Sequence, residues 1–274
     1  MSARFLSQKT RTIAITSGKG GVGKTTLTSN MAQALAQQGQ RVLIFDGDLG
    51  MANIDIMFGV KPEGNILDVI RGEKEISEVV TQISPLISLI SGGSGIVELN
   101  RLNPFERRAL VDSVSQLEHA YDYMLIDTAP GISDNVLYLN AAAQMSAVII
   151  NPDPASLADS YALIKVLNRE HRETRFSIIC NQVRDEVEGL SLFNRFSEVV
   201  NRFLSIGLDY WGSVPQDNLL KRSTLQQRLI VRHEPQAESA RAIQAISLRM
   251  QQSVQKSDTK AGLQFFWEQV VGVA

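Results

Sequence analysis

Directly behind an apolar run, Thr12-Ile13-Ala14-Ile15-Thr16-Ser17, the chain reads Gly18-Lys19-Gly20-Gly21-Val22-Gly23-Lys24-Thr25-Thr26. No other segment restricts the fold as tightly. The glycines let the backbone turn back on itself so that successive N–H groups converge on an anion, and a helix starting near Lys24 adds its positive dipole end. A buried strand, a phosphate-sized turn and a helix must therefore follow one another here. The candidate phosphate ligands are Gly18, Gly20, Gly21, Val22, Gly23, Lys24, Thr25 and Thr26. Lys24 supplies a cation to the β- and γ-phosphates, and Thr25 offers its hydroxyl to Mg²⁺.

The same glycines also satisfy Gly-x-Gly-x-x-Gly, the dinucleotide fingerprint. Asp46, closing the next apolar run from Arg41 to Phe45, stands where a ribose-binding acid is expected. Lys24 and Thr25 separate the two readings, because a dinucleotide pyrophosphate is held by backbone and dipole and has no use for a metal-ligating threonine. A further acid favours the triphosphate. Tyr123-Met124-Leu125-Ile126-Asp127 is an apolar strand ending on a carboxylate, the form that holds a Mg²⁺ water shell opposite the phosphate loop. Asp46 and Asp48 lie two apart at a strand end, so one faces the phosphates while the other serves the metal shell or the loop. Thr25, Asp46 and Asp127 are thus the metal-side candidates. Gly131 offers backbone that can approach a γ-phosphate and move when it leaves.

Apolar runs at Thr12–Ser17, Arg41–Asp46, Ile87–Ser91, Tyr123–Asp127, Ala147–Asn151, Phe176–Asn181 and Leu208–Val214 alternate with helix-length segments. Continuous apolar strands between helices predict an α/β fold, a doubly wound, mainly parallel sheet flanked by helices. Asn103-Pro104-Phe105-Glu106 carries a cap, a first-turn proline and an acid at the third position, which predicts a helix from Pro104 to about His119. With 274 residues, 44% of them hydrophobic, the chain can bury a full core as one domain over 12–250, after an extension at 1–11. The net charge of −2 gives no global basic field, so nonspecific DNA binding is not expected. One cysteine, Cys180, excludes an intrachain disulfide and points to a reducing, cytoplasmic setting.

After a polar stretch at 251–262, read as a linker, Leu263, Phe266, Trp267, Val270 and Val271 recur at i, i+3, i+4, i+7 and i+8. They form one apolar helical face within 263–274. The segment has no Lys or Arg and carries Glu268, so anionic lipid contributes little. Two occupants fit the face, a bilayer surface at the inner membrane or cell pole, or the protein itself.

Lys19 adds a second lysine to a loop that already has one. From Lys19 to Thr26 the chain reads K-G-G-x-G-K-T-T without departure, and in this it resembles the deviant Walker A ATPases of the MinD/ParA class. That resemblance implies an ATP-bound, Mg²⁺-dependent homodimer in which Lys19 reaches the partner's phosphates, as an arginine finger does. It also implies that Asp48, within Phe45-Asp46-Gly47-Asp48-Leu49-Gly50-Met51-Ala52-Asn53-Ile54-Asp55, orients the attacking water. Asn151-Pro152-Asp153, with Asp159, resembles the stretch that crosses the dimer interface toward the nucleotide. Asn181 matches the residue that pairs with an adenine edge, and Val214-Pro215-Gln216-Asp217 the loop closing over the base, making Asp153, Asn181, Pro215 and Asp217 nucleotide-binding candidates. A guanine-selecting Asn-Lys-x-Asp pattern is absent near Asn181.

Asp159 to His171 and Leu263 to Glu268 resemble the interface and terminal helices of the FlhG/FleN group, which controls flagellar number. Membership implies slow, regulatory ATP hydrolysis and three flagellar partners: a transcription activator, an SRP-type GTPase and switch-ring proteins. Met1 to Arg11 lacks the N-terminal motif with which some members activate the GTPase. Division-site regulation of the MinD kind and DNA partition of the ParA kind are the alternatives within the class.

Overall fold

The computed structural model describes residues 9–48, 53–93, 103–254 and 262–272. Eight strands form one sheet: β1 (Arg11–Thr16), β2 (Val42–Gly47), β3 (Thr81–Ser84), β4 (Ile87–Ser91), β5 (Tyr123–Thr128), β6 (Met145–Ile150), β7 (Phe176–Val183) and β8 (Leu208–Pro215). Their order is β3-β4-β2-β5-β1-β6-β7-β8, with every pair parallel except β3 against β4. The helices are α1 (Lys24–Gln37), α2 (Ile54–Phe58), α3 (Ile66–Ile70), α4 (Ile76–Val79), α5 (Pro104–Ser115), α6 (Asp134–Ala142), α7 (Pro154–His171), α8 (Glu186–Leu204), α9 (Asn218–Leu225), α10 (Ile230–His233), α11 (Glu238–Val254) and α12 (Leu263–Val270).

Strand alternation explains how both faces are covered. Ile13, Ile15, Val42, Ile44, Tyr123 and Leu125 pack beneath α1, α2, α10 and α11. Their neighbours Ala14, Leu43, Phe45, Met124 and Ile126 point the other way, to α3, α4, α5, α6 and α12. On that second face Val148, Ile150, Phe176 and Ile178 extend the core under α7 and α8. A strand buried on both sides has to read as a continuous apolar run, which is the pattern the sequence shows.

One strand was not expected, and one helix ends early. β3 is a four-residue edge strand, Thr81-Gln82-Ile83-Ser84, too short and too polar to register as an apolar run. α5 keeps its predicted start, where Asn103 accepts from the N–H groups of Phe105 and Glu106, but it stops at Ser115. His119 has φ +69°, a left-handed conformation that no helix accommodates.

The terminal segment takes the second of its two predicted occupants. Leu263, Phe266 and Trp267 are fully buried, and Val270 and Val271 nearly so, against α5, α6 and the sheet. The Trp267 ring meets Phe45 edge-on at 5.1 Å. Glu118 Oε2 accepts from the first N–H groups of the helix, Leu263 at 2.7 Å and Gln264 at 3.1 Å. In this arrangement none of the five apolar side chains is offered to lipid, and each contributes ~1.5–3 kcal/mol of burial to the fold. Helix α11 runs four residues into the stretch read as a linker, ending at Val254. Residues 255–261 lie outside the described part, as do Met1–Gln8, Leu49–Ala52 of the predicted switch segment, and Val273–Ala274. Among the described residues no helix is long and apolar enough to cross a membrane.

Candidate nucleotide site

Strand parity decides where the acids point. Asp46 shares its side of β2 with Val42 and Ile44, Asp127 its side of β5 with Tyr123 and Leu125, and both sides face α1. The β2–β5 register places Asp46 opposite Asp127, so two carboxylates end adjacent strands beneath the same helix. Asp127 accepts from Thr25 Oγ1 at 2.7 Å and from Thr28 Oγ1 at 3.1 Å. Burial pushes its pKa up to about 7, with the charge of Asp46 adding and the threonine bonds and Lys24 opposing. Asp46 accepts from the backbone N–H groups of Asp48, Asn53 and Ile54, each at 3.2 Å. Burial raises it to about 6 despite these bonds. Asp46 thus serves the loop leading to α2, while Asp48 lines the cleft.

The loop itself needs glycine at two points for different reasons. Gly23 caps α1 at φ +96°, a left-handed conformation. At Gly18 a Cβ would lie 2.1 Å from the carbonyl carbon of Asp159, so the start of the loop rests directly on the α7 backbone. Ser160 Oγ accepts the Gly18 N–H there at 3.3 Å. Lys24 donates to Ser17 Oγ at 2.9 Å, and that hydroxyl in turn donates to the Lys19 carbonyl at 2.7 Å. Burial lowers the Lys24 pKa, with Asp127 and Asp48 opposing.

Lys19 behaves differently. Its ammonium is ion-paired with Asp153 of its own chain, and both side chains remain partly exposed. Asp153 also caps α7, accepting from the Ala155 N–H at 2.9 Å, and the Lys19 bond holds its carboxyl below the usual range. Lys19 does not line the cleft, whereas Lys24, Thr25 and Thr26 do.

The cleft holds about 600 Å³ and runs from the phosphate loop to Pro215, Gln216 and Asp217 at the end of β8. At that far end the predicted polar ligands are already engaged. Asn181 Nδ2 donates to the Val22 carbonyl at 2.7 Å, bracing the phosphate loop from β7. Asp217 caps α9 through the Leu219 N–H at 2.7 Å and accepts from Ser239 Oγ at 2.6 Å. Burial raises the Asp217 pKa, but these hydrogen bonds outweigh it and hold the group below its ordinary value. Sequence reasoning missed Ser17, Thr28, Ser160, Gln182 and Gln216. Thr28 had a signal, since it lies one helical turn from Thr25 on the same face.

The donor set around Thr25 is all oxygen, which suits a hard cation. Among the described residues no three His, Cys, Asp or Glu side chains are grouped to hold a metal by themselves. Mg²⁺ takes one or two protein ligands and completes its shell with phosphate oxygens and water, and the Thr25 hydroxyl beside Asp127 is where it would be held.

Strand order removes the dinucleotide reading. Here β5 separates β1 from β2, whereas the dinucleotide fold pairs those two directly. Asp46 is also turned onto the backbone N–H groups of Asp48, Asn53 and Ile54, which occupy the oxygens a ribose would need. Fold and site together define a phosphate-loop nucleotide-binding protein. Residues 10–178 match a family model described as an AAA domain. The chain is 35% identical to the antiactivator FleN of Pseudomonas aeruginosa over 94% of its own length and 92% of that protein. It is 36% identical to the flagellum site-determining protein YlxH of Helicobacter pylori, covering 82% and 76%. Among solved structures, MinD in a MinC:MinD complex from Aquifex aeolicus aligns with TM-score 0.69 at 25% identity, covering 88% of this chain and 96% of that one. The chain belongs to the FlhG/FleN group of the MinD/ParA-like ATPases.

Proposed function

We propose that the protein is an ATP-driven dimerisation switch with slow hydrolysis that regulates flagellar number. The observation that carries this reading is Lys19: it stands in the loop beside Lys24, yet its ammonium sits outside its own cleft, at the edge where Asp153 begins α7. A lysine so placed reaches phosphates by crossing to a second subunit. With a triphosphate bound, Lys24 would exchange Ser17 Oγ for phosphate oxygens, Thr25 and Asp127 would hold the metal side, and Asp48 would orient water. Bound Mg²⁺ would neutralise charge on the β- and γ-phosphates. The flagellar assignment is supported by FleN and YlxH, whose names describe an antiactivator and a site-determining protein. An antiactivator acts on an activator, so a flagellar transcription activator is the first partner to test, followed by the SRP-type GTPase and the switch ring. The switch works in the cytoplasm.

Light scattering on size-exclusion peaks, with and without MgATP, tests the reading. Wild type should shift from monomer to dimer, Lys19→Ala should fail to shift, and Asp48→Ala should stay dimeric long after wild type has hydrolysed its nucleotide. An Asp48→Ala protein that remains monomeric in MgATP overturns it. Deletion of the gene should change the number of flagella per cell.

A further inference from the structure

On the sheet face turned away from α1, β1 and β5 end on Thr16 and Thr128, and α6 brings Asn140 down upon them; all three side chains are buried. Asn140 Nδ2 donates to the Val136 carbonyl at 2.7 Å and to Thr16 Oγ1 at 3.3 Å. The two threonine hydroxyls lie 3.0 Å apart, and Thr128 Oγ1 donates to the Ile15 carbonyl at 3.2 Å. A hydroxyl has one proton and a carbonyl only accepts, so the arrangement that satisfies every proton runs one way, from the asparagine amide through Thr16 to Thr128 and on to Ile15. The chain starts from an amide donor. Asn140 Oδ1 is left buried without a partner, a desolvation cost that an apolar residue of the same size would avoid.

What the chain ties together lies at the nucleotide cleft. Thr128 follows Asp127 and opens Ala129-Pro130-Gly131, the segment that leads into α6. Thr16 precedes Ser17, whose carbonyl accepts from the Gly131 N–H at 3.0 Å. The segment is thus fastened to the end of β1 at three points: Thr128 at its start, the Gly131 N–H in its middle and Asn140 from the second turn of α6. Between these ties Pro130 lines the cleft, and a Cβ on Gly20 of the phosphate loop would lie 3.8 Å from its ring. Gly131, at φ +95°, is the point where the segment can pivot. Lys24 and Thr25 are seated separately, through Ser17 Oγ and Asp127. Loosening the threonine chain therefore moves the segment at Pro130 and leaves the phosphate and metal groups in place.

We propose that Asn140 is a positioning residue for ATP hydrolysis: through Thr16 and Thr128 it holds residues 129–131 at the cleft in the placement the reaction requires, without itself touching the nucleotide. This rests on the ATPase reading and adds to it a residue that sets rate and not affinity.

Asn140→Leu keeps the volume and removes the donor. Thr16→Val keeps the branched shape and removes the relay, and it carries the test if Asn140→Leu folds poorly. Phosphate release is measured at saturating protein across a range of MgATP, with MgADP affinity titrated alongside. In each variant kcat should fall about tenfold while KM and the MgADP affinity stay within about threefold of wild type, the pattern of a misplaced group that binding does not use. The double variant should be no slower than the slower single, because both changes cut the same chain. Losses that multiply to about a hundredfold in the double variant mean that the two residues act separately, and they overturn the inference. Variants that turn over within about twofold of wild type, or that lose affinity as much as rate, overturn it as well. A wild type that binds MgATP and never hydrolyses it overturns it together with the ATPase reading.

Discussion

At the end of the cleft proposed for the phosphates, the lining comes from one short run of sequence, Gly20, Gly21 and Gly23 to Thr26; at the end proposed for the base, Asn181, Gln182, Pro215, Gln216 and Asp217 arrive from the ends of two different strands. The first end is a local structure whose geometry follows from spacing alone. The second exists only because β7 and β8 lie side by side. Polar side chains from both ends line the cleft and are engaged within the fold: Lys24 donates to Ser17 and Thr25 to Asp127 within or close to the loop, while Asn181 donates to Val22 from another strand and Asp217 caps a helix. A polar side chain beside a cleft is a ligand only after the fold has taken the hydrogen bonds it needs.

The strongest test of this division is Lys24→Ala, which should weaken MgATP binding by ~10²-fold, the ~3 kcal/mol expected for charge-assisted bonds to phosphate. Calorimetric titration reads it directly. An affinity within a few-fold of wild type would move the phosphates elsewhere and dissolve the contrast.

Next comes the buried carboxylate behind Thr25. Asp127 has its pKa raised to about 7 and Asp46 to about 6, so each favours its neutral form in the folded state. Stability from a raised carboxylate is fully present below the unfolded value of ~3.9 and is lost as pH rises through the folded value. The nucleotide-free protein should therefore lose stability steadily between about pH 4 and pH 7. Asp127→Asn should flatten that slope and stabilise the empty protein at pH 8 by on the order of 1–3 kcal/mol, while removing the extra stability that MgATP confers. Denaturant midpoints at pH 5 and pH 8 decide it; an equal slope in variant and wild type refutes the assignment of the titration to this pair.

At the base end the expected losses are structural. Asp217→Ala removes the α9 cap and the bond from Ser239, costing ~1–2 kcal/mol of stability. Affinity for ATP should change less than about threefold. A variant of normal stability that binds ATP poorly would make Asp217 a ligand after all and bring the two ends closer in kind.

How legible each part was follows from the same distinction. The apolar strands could be read because burial on both faces leaves no room for alternation, and the phosphate loop because its glycines, lysine and threonine are contiguous. β3 could not be read, since a short edge strand carries neither signal. Which of Asp46 and Asp48 faces the cleft was open in the sequence; parity puts Asp46 under α1, and the backbone N–H groups of Asn53 and Ile54 keep it there. The terminal helix showed its apolar face plainly but not its occupant, because Phe45 lies more than two hundred positions away along the chain and the α5 and α6 residues it also covers more than a hundred. Gln182 carried no signal at all: it lines the cleft only because the ends of β7 and β8 lie side by side in the folded state.

Asn181 offers the finest discrimination. Its side chain is buried, and its amide nitrogen is spent on Val22, next to the glycine that caps α1. If it works as a brace, Asn181→Ala should weaken ATP by about five- to tenfold, the ~1 kcal/mol of one neutral hydrogen bond plus the freedom returned to the loop. The brace acts on the loop and not on the base, so inorganic tripolyphosphate with Mg²⁺, which has no base, should weaken by the same factor. A residue that only paired with adenine would give the opposite pattern, a loss for ATP and none for tripolyphosphate. Competition of both ligands against a fluorescent nucleotide measures the two factors side by side. Their ratio says whether Asn181 belongs with the phosphate end, which it holds in place, or with the base end, from which it comes.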